Sequence, residues 1–465
     1  MSGPRRRPGA GSGGQSRRPS LDVPRRTALA VLRAVTGEGA YANLALAEGL
    51  AAQRLTGPDA ALVTELVAGT CRGMGTYDAI IEAAAGRRLR TLQPAVVDLL
   101  RLAAHQLLGM GTPPHAAVTT SVDLARAAIG ERVTGLVNAV VRRVAAHTLE
   151  GWLDLLSRDL DADDALALRT LHPRWIVDAW ADVLPPEELE AALRADNVPA
   201  VTTLVVRPGL ASREELLASG AEPTPTSPFG VRRSGAPGDV PAVRERRAGV
   251  QDEGSQLVAW VLGRADAEPG PWLDLCAGPG GKSALLAGLA RERGSWLVAS
   301  ELQPHRAALV AAAVSGYGEA VEVVVADGTR PAWSPSSFIK VMADVPCSGL
   351  GALRRRPDAR WRKLSDDVDA LHPLQCALLA TAIESAAPGG LVAYVTCSPH
   401  RHETADVVGD VLAGRDDVEI LDAPALLSEV DDAVAATDSR FVQLWPHRHG
   451  TDAMFLALLR RTRAS

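Results

Sequence analysis

No run of eighteen uncharged apolar residues occurs in the chain, so the simplest signature of a membrane-spanning helix is missing. Nor does an apolar segment follow the basic, Gly/Pro/Ser-rich start with Arg5, Arg6, Arg7, Arg17 and Arg18, and a secretory signal is therefore not expected. Residues 1–20 read as a disordered basic arm or as a salt-sensitive RNA-binding one. Cysteine is scarce. The five cysteines, Cys71, Cys276, Cys347, Cys376 and Cys397, are odd in number and none has CxxC spacing. Neither a zinc site nor a disulfide framework is supported, no metal is expected, and a reducing, cytoplasmic location suits free thiols. A net positive charge is also lacking: 49 Lys and Arg stand against 55 Asp and Glu, so any polyanion must be held by local patches.

What is present is enough hydrophobic residue, 47%, to pack more than one domain in 465 residues. Residues 21–150 read as a compact helical domain, with helix-like spacing in Arg25–Ala34, Ala60–Thr70 and Ala116–Ile129. Breakers fall at Gly57-Pro58 and at Gly111-Thr112-Pro113-Pro114. Residues 151–250 read as a helical linker and a small α+β subdomain. Trp152, Trp175 and Trp180 are expected between domains, Val201–Arg207 is expected as a strand, and Glu222–Val243 is rich in Pro and Gly.

From residue 251 to 465 strand and helix alternate. Pro271–Leu275, Trp296–Ser300, Val321–Ala326, Ile339–Ala343 and Leu391–Val395 read as strands, and Lys282–Arg291 and Leu371–Ala386 as helices. That alternation implies a doubly wound, Rossmann-like α/β sheet with ligands at the carboxyl ends of its strands.

The first of those strands runs into Cys276-Ala277-Gly278-Pro279-Gly280-Gly281-Lys282-Ser283. Glycine lets a ligand approach the backbone, and a helix N-terminus offers free N–H groups. A phosphate-binding P-loop is excluded by register, since Cys276 stands where its first glycine should be. Glu301 and Asp327 follow the next two strands, where a carboxylate can accept hydrogen bonds from a ribose. Together they point toward an adenosine-type ligand. The fourth and fifth strands end in Asp344-Val345-Pro346-Cys347-Ser348-Gly349 and Thr396-Cys397-Ser398-Pro399. A lone cysteine is usually a small buried hydrophobe. Two at equivalent strand ends, one beside an aspartate, point instead to catalysis. Cys71, Cys276 and Cys376 fit packing. Arg354, Arg355, Arg356, Arg360 and Arg362, like Arg142 and Arg143 with Arg126 and Arg132, read either as phosphate contacts or as solvated faces.

On these motifs, with Gln251-Asp252-Glu253-Gly254-Ser255 and the closing Trp445-Pro446-His447-Arg448-His449-Gly450-Thr451-Asp452-Ala453-Met454-Phe455, the region from Gln251 onward resembles the RNA cytosine-C5 methyltransferases of the Sun/NOL1/NOP2 class. Gly135-Leu136-Val137-Asn138-Ala139-Val140-Val141-Arg142-Arg143 is similar to the signature of NusB-like RNA-binding domains. The pairing is similar to one bacterial subgroup, the RsmB/Sun (Fmu) 16S rRNA cytosine-C5 methyltransferases. Three departures from the family pattern are visible. Glu301 stands where Asp is usual, Ala277-Gly278 replaces Ala-Ala, and residues 201–209 lack an Arg-x-Asn pattern.

The resemblance implies a class I methyltransferase domain using S-adenosyl-L-methionine, with RNA, 16S rRNA first, as substrate and a monomer as the default state. It implies Cys397 as nucleophile toward C6 of cytosine and Cys347 as the group assisting proton loss and release. Asp344 would meet the N3/N4 edge of the base, with Lys282 orienting it. The cofactor would lie along Cys276, Ala277, Gly278, Pro279, Gly280, Gly281 and Lys282, with Glu301 on the ribose, Asp327 on the adenine and Asp344 toward the methionine end. Within the same chemistry a tRNA or 23S rRNA target stays open. So does a different class of function, an RNA-binding or antitermination factor with a degenerate enzyme domain.

Overall fold

The computed structural model describes residues 22–462, and the basic arm expected at 1–20 lies outside them. Two compact units result. One takes the residues up to Thr70 together with Ile81–Ala146, and the other takes Cys71–Ile80 and everything from His147 onward.

The first unit is built on helices Val23–Glu38, Ala42–Ala52, Gly57–Ala85, Pro94–Ala104, Pro114–Ala128 and Thr134–Val144. Asp22 caps the first by accepting the Arg25 N–H at 3.1 Å. Proline opens the Pro94 and Pro114 helices, where its missing N–H costs nothing. Leu29, Leu32, Leu66, Leu99, Ala125 and Val140 form the interior. The expected Ala60–Thr70 stretch is only the first part of a helix that continues to Ala85. Gly69, Gly73 and Gly75 cost this helix about 1 kcal/mol each relative to alanine. Each has a steric reason: a Cβ at Gly69 would lie 2.1 Å from the His105 ring, and in the stretch of this helix that belongs to the second unit a Cβ at Gly73 would lie 2.5 Å from Tyr77 and one at Gly75 2.2 Å from Trp361.

In the second unit, helices Leu149–Leu156, Ala162–Arg169, Arg174–Ala181 and Pro186–Ala195 precede a small antiparallel sheet. Trp180 is buried edge-on to Trp445, with ring centroids 5.4 Å apart, so this helical segment packs onto the C-terminal part of the chain. The small sheet comprises β1 (Thr203–Val206), β2 (Glu222–Pro223), β3 (Gly230–Arg232) and β4 (Ala248–Val250), in the order β2-β3-β1-β4.

The large sheet contains β5 (Trp272–Asp274), β6 (Leu297–Glu301), β7 (Val321–Val325), β8 (Phe338–Asp344), β9 (Ala386–Thr396), β10 (Val418–Ile420), β11 (Val442–Gln443) and β12 (Phe455–Arg461). Its order is β10-β12-β9-β8-β5-β6-β7, with β11 paired to β12. Strands β5 to β9 run parallel, and β12 is antiparallel to β9. The chain reverses its direction of winding between β5 and β8, and the carboxyl edge at such a switch point is where doubly wound sheets bind ligands. Helices Gly281–Glu292 and Ser365–Ser385 stand among those that cover the sheet. Each strand expected in this region is present, within two residues at its ends except that β9 starts five residues before Leu391. Among the described residues no helix is long and apolar enough to cross a membrane.

Candidate active site

The turn after β5 is built around two carboxylates. Asp274 is buried and accepts the Ser283 hydroxyl at 2.7 Å. Burial pushes its carboxyl up to about 7, the Ser283 bond opposing and the nearby Asp344 charge adding. Glu301, at the end of β6, accepts the Gly278 N–H at 3.0 Å on one oxygen and the Gln303 N–H at 3.0 Å on the other. A Cβ at Gly278 would sit 2.1 Å from that first oxygen, so side chains are excluded there by the acid itself. Gly280 has φ 104°, a left-handed conformation that favours glycine, and opens helix Gly281–Glu292. Asp327, after β7, accepts the Thr329 hydroxyl at 2.7 Å and the Thr329 N–H at 2.9 Å, which hold it below the usual carboxylate range.

Register explains why the two distant cysteines meet. Strands β8 and β9 are parallel neighbours with Asp344 opposite Val395, so the loops that leave them run side by side. Cys347 and Cys397, fifty residues apart in sequence, have their sulfurs 3.3 Å apart. The serines that follow them repeat the contact, with the Ser348 and Ser398 hydroxyls 3.2 Å apart. Gly351 donates its N–H to the Cys397 carbonyl at 2.9 Å and accepts from Ala453 at 2.8 Å. Lys282, from the Gly-rich turn, donates to Asp344 Oδ2 at 2.9 Å. Burial works against the lysine's charge, yet the Asp344 carboxylate leaves it above the ordinary lysine value.

The thiols are electrostatically unlike. The hydrogen bond from Cys347 holds Cys397 down, with the Lys282 and Arg356 charges helping against burial and Asp344. The same bond pushes Cys347 up, reinforced by burial and by the Glu403 and Asp344 charges. Cys397 is thus the easier of the two thiols to ionise, and the thiolate is the nucleophilic form. Cys71 is buried and Cys276 is pushed up by burial, as packing residues would be. Cys376 departs from plain packing, because it is partly exposed and lies 3.5 Å from His372 Nε2.

Not every expected contact is available. Arg354 is buried and donates to the Gly450 carbonyl at 2.9 Å. Arg355 clamps Asp252 at 2.5 Å and Asp452 at 3.1 Å. Arg360 is fully buried, bound to Asp196 at 2.6 Å and Asn197 at 2.7 Å. The phosphate-grip reading is therefore corrected for Arg354 and Arg360, whose guanidiniums are spent inside the fold, and Arg355 is committed to two acids. Arg356 is exposed. In the first unit Arg142 and Arg143 are exposed at the end of their helix, while Arg126 is tied to Asp123 and Glu131. Arg143 spends one nitrogen on the Ala84 carbonyl at 3.0 Å.

Sequence reading missed Glu403, Gln375, Asp252 and Asp452. Asp452 is raised to about 7, burial and the neighbouring Asp252 charge outweighing the arginines. Asp252 and Asp452 lie in motifs already singled out, so their positions were signposted even though their pairing with Arg355 was not.

The chain matches two family models: "16S rRNA methyltransferase RsmB/F" over residues 259–460 and "NusB family" over residues 22–146. It is 46% identical to a putative methyltransferase of Mycobacterium tuberculosis strain H37Rv, covering 97% of this chain and 99% of that one. It is 30% identical to a probable ribosomal RNA small subunit methyltransferase B of Bacillus subtilis, covering 91% and 95%. Among solved structures, the crystal structure of PH0851 has a TM-score of 0.78 at 21% identity, covering 95% of this chain and 99% of that one, a likeness of fold.

Proposed function

Because the chain belongs to the RsmB/F family of 16S rRNA methyltransferases and carries a NusB-family domain, we propose that it methylates C5 of a cytosine in RNA, with 16S rRNA as the substrate, through a covalent adduct between Cys397 and C6. The observation that carries this reading is the meeting of two thiols at 3.3 Å with the Lys282–Asp344 pair at the same sheet edge.

S-adenosylmethionine would supply, when bound, an electrophilic methyl group. The fit of the residues to such a group rests on three features: a glycine turn that excludes side chains, carboxylates at successive strand ends, and buried acceptors on Gln251 (Oε1) and Asp274 (Oδ1) without partners. The turn from Cys276 to Lys282 would hold it, with Glu301 on the ribose, Asp327 on the adenine and Asp344 toward the methionine end.

Carbon 5 of cytosine is a weak nucleophile. Addition of the Cys397 thiolate to C6 moves the C5–C6 π electrons onto C5, splitting one hard step into two. Asp344 hydrogen-bonds the N3/N4 edge and stabilises charge that develops on addition, with Lys282 fixing its position. Once C5 carries its methyl group, the C5 proton passes to water, with Cys347 assisting its departure. The electrons of the C5–H bond restore the C5–C6 double bond, the C6–S bond breaks with its electron pair staying on sulfur, and Cys397 leaves as thiolate. The base must leave any stack to reach these groups.

Bisulfite sequencing of total RNA from cells with and without the gene tests the reading. One 16S rRNA cytosine should lose its protection from deamination when the gene is removed. A lost site in tRNA or 23S rRNA would move the substrate, and no lost site anywhere would overturn the chemistry.

A further inference from the structure

Glu403 has no part in the reaction as described, yet it is fully buried and bonded to Ser348, the residue after Cys347. It ends the short turn Arg401–Glu403 that follows the Cys397 loop. One carboxylate oxygen accepts the Ser348 N–H at 2.6 Å and Gln375 Nε2 at 3.1 Å, and the other accepts the Ser348 hydroxyl at 2.5 Å. All three donors are uncharged. Burying a carboxylate on neutral donors is an expensive way to fill space, so stability alone does not account for an acid here.

The bonds form a directed chain. The Ser348 hydrogen is spent on Glu403, so the Ser398 hydroxyl must donate to Ser348, and Ser398 in turn accepts the His400 N–H at 3.2 Å. The residue after each cysteine is therefore tied, directly or through one hydroxyl, to a single carboxylate. Gln375 also donates to the Pro346 carbonyl at 2.9 Å, and Tyr394 donates its hydroxyl to the Glu403 carbonyl at 2.8 Å, so the brace is itself held from two elements.

We propose that Glu403 is a positioning residue that fixes the two thiols against each other and assigns their roles, keeping the nucleophile at Cys397. The inference rests on the reading of Cys397 as the attacking group. Its electrostatic part agrees with the geometry. Cys347 is pushed up first by its bond to Cys397 and by burial, and the Glu403 charge adds to them. Among the charged groups facing Cys347, Asp344 acts in the same direction as Glu403. Lys282 and Arg356 act on Cys397.

The test uses the full chain with Glu403→Gln, which keeps the volume but removes the charge and points an amide N–H₂ at donors. Alkylation of Cys347 by iodoacetamide is followed against pH by peptide mass mapping. Its midpoint should fall by about one pH unit. Methyl transfer is followed in parallel at saturating RNA and S-adenosylmethionine. There kcat should fall about tenfold to a hundredfold while KM for RNA stays within about threefold. An unmoved alkylation midpoint with unchanged kcat overturns the proposal. An unmoved midpoint with a raised KM and a lowered melting temperature also overturns it, leaving Glu403 a structural residue. If Glu403→Gln does not fold, Ser348→Ala keeps the acid but cuts the hydroxyl chain, and an unchanged kcat in that variant is equally fatal. Alkylation needs no methylation, so a wild-type chain inactive on RNA would sink the functional reading without touching this result.

Discussion

The loops after β8 and β9 are near copies. Each leaves a parallel strand, each carries Cys-Ser, and the two pairs touch thiol to thiol and hydroxyl to hydroxyl. Their surroundings differ. Cys397 is pulled down by its bond from Cys347, with Lys282 and Arg356 acting on it, whereas Cys347 is pushed up by that same bond and by burial, with the Glu403 charge adding. Chemical likeness with electrical unlikeness lets one residue type serve both as attacking group and as assistant to departure. The division of labour resides in neighbours rather than in the cysteines.

The comparison can be broken most severely at Cys397. Cys397→Ala should lower methyl transfer by about three orders of magnitude or more, with calorimetric affinity for S-adenosylmethionine within about twofold of wild type. Substantial residual transfer would mean that Cys347 can attack. Lys282→Met comes next. It removes a charge that favours the Cys397 thiolate and frees Asp344, so kcat should fall about a hundredfold. Activity needs the thiolate and rises with pH through the Cys397 pKa, so raising that pKa moves the acidic limb of the pH–rate profile upward. A limb that stays in place would separate Lys282 from the thiol.

Cys347→Ala should have a smaller effect on attack and a distinct one on release, with a covalent protein–RNA adduct accumulating as a band of reduced mobility during turnover. Turnover at the wild-type rate with no adduct would make the two loops functionally unequal in the wrong sense. The mildest change is Arg356→Ala, expected to lower kcat/KM by about threefold and to reduce the salt slope of RNA binding by about one. An upward shift of the acidic limb without any change in salt slope would instead assign Arg356 to the thiol alone.

Much of the large sheet was legible because its signals are local. An apolar strand, a glycine turn and an acid occupy adjacent positions, and the alternation of strand with helix fixes which ends share an edge. The motifs also placed Cys347 and Cys397 at equivalent strand ends, although their separate roles came from resemblance and not from spacing. Burial was not legible. Arg354, Arg355 and Arg360 share a basic stretch that reads as phosphate-seeking, but their carboxylate and carbonyl partners lie as far as 288 residues away. Glu403 sits in a polar run, His400-Arg401-His402-Glu403, and looks solvated until the fold brings Ser348 and Gln375 to it. Long-range partners decide whether a charge is a handle or a keystone, and no periodicity records them.

Lysine is rare in this chain: only Lys282, Lys340 and Lys363 occur. Lys340, in the middle of β8, is buried, donates to the carbonyls of Leu262, Gly263 and Ala265, and is lowered to about 7 by burial. Its amine is therefore held on three carbonyls and shielded from reagents. Brief exposure to an acylating reagent would leave Lys340 untouched in intact molecules and mark it in any that had opened between β8 and the end of helix Glu253–Arg264. With so few competing amines, the chain carries its own covalent recorder of transient opening beneath the reaction centre.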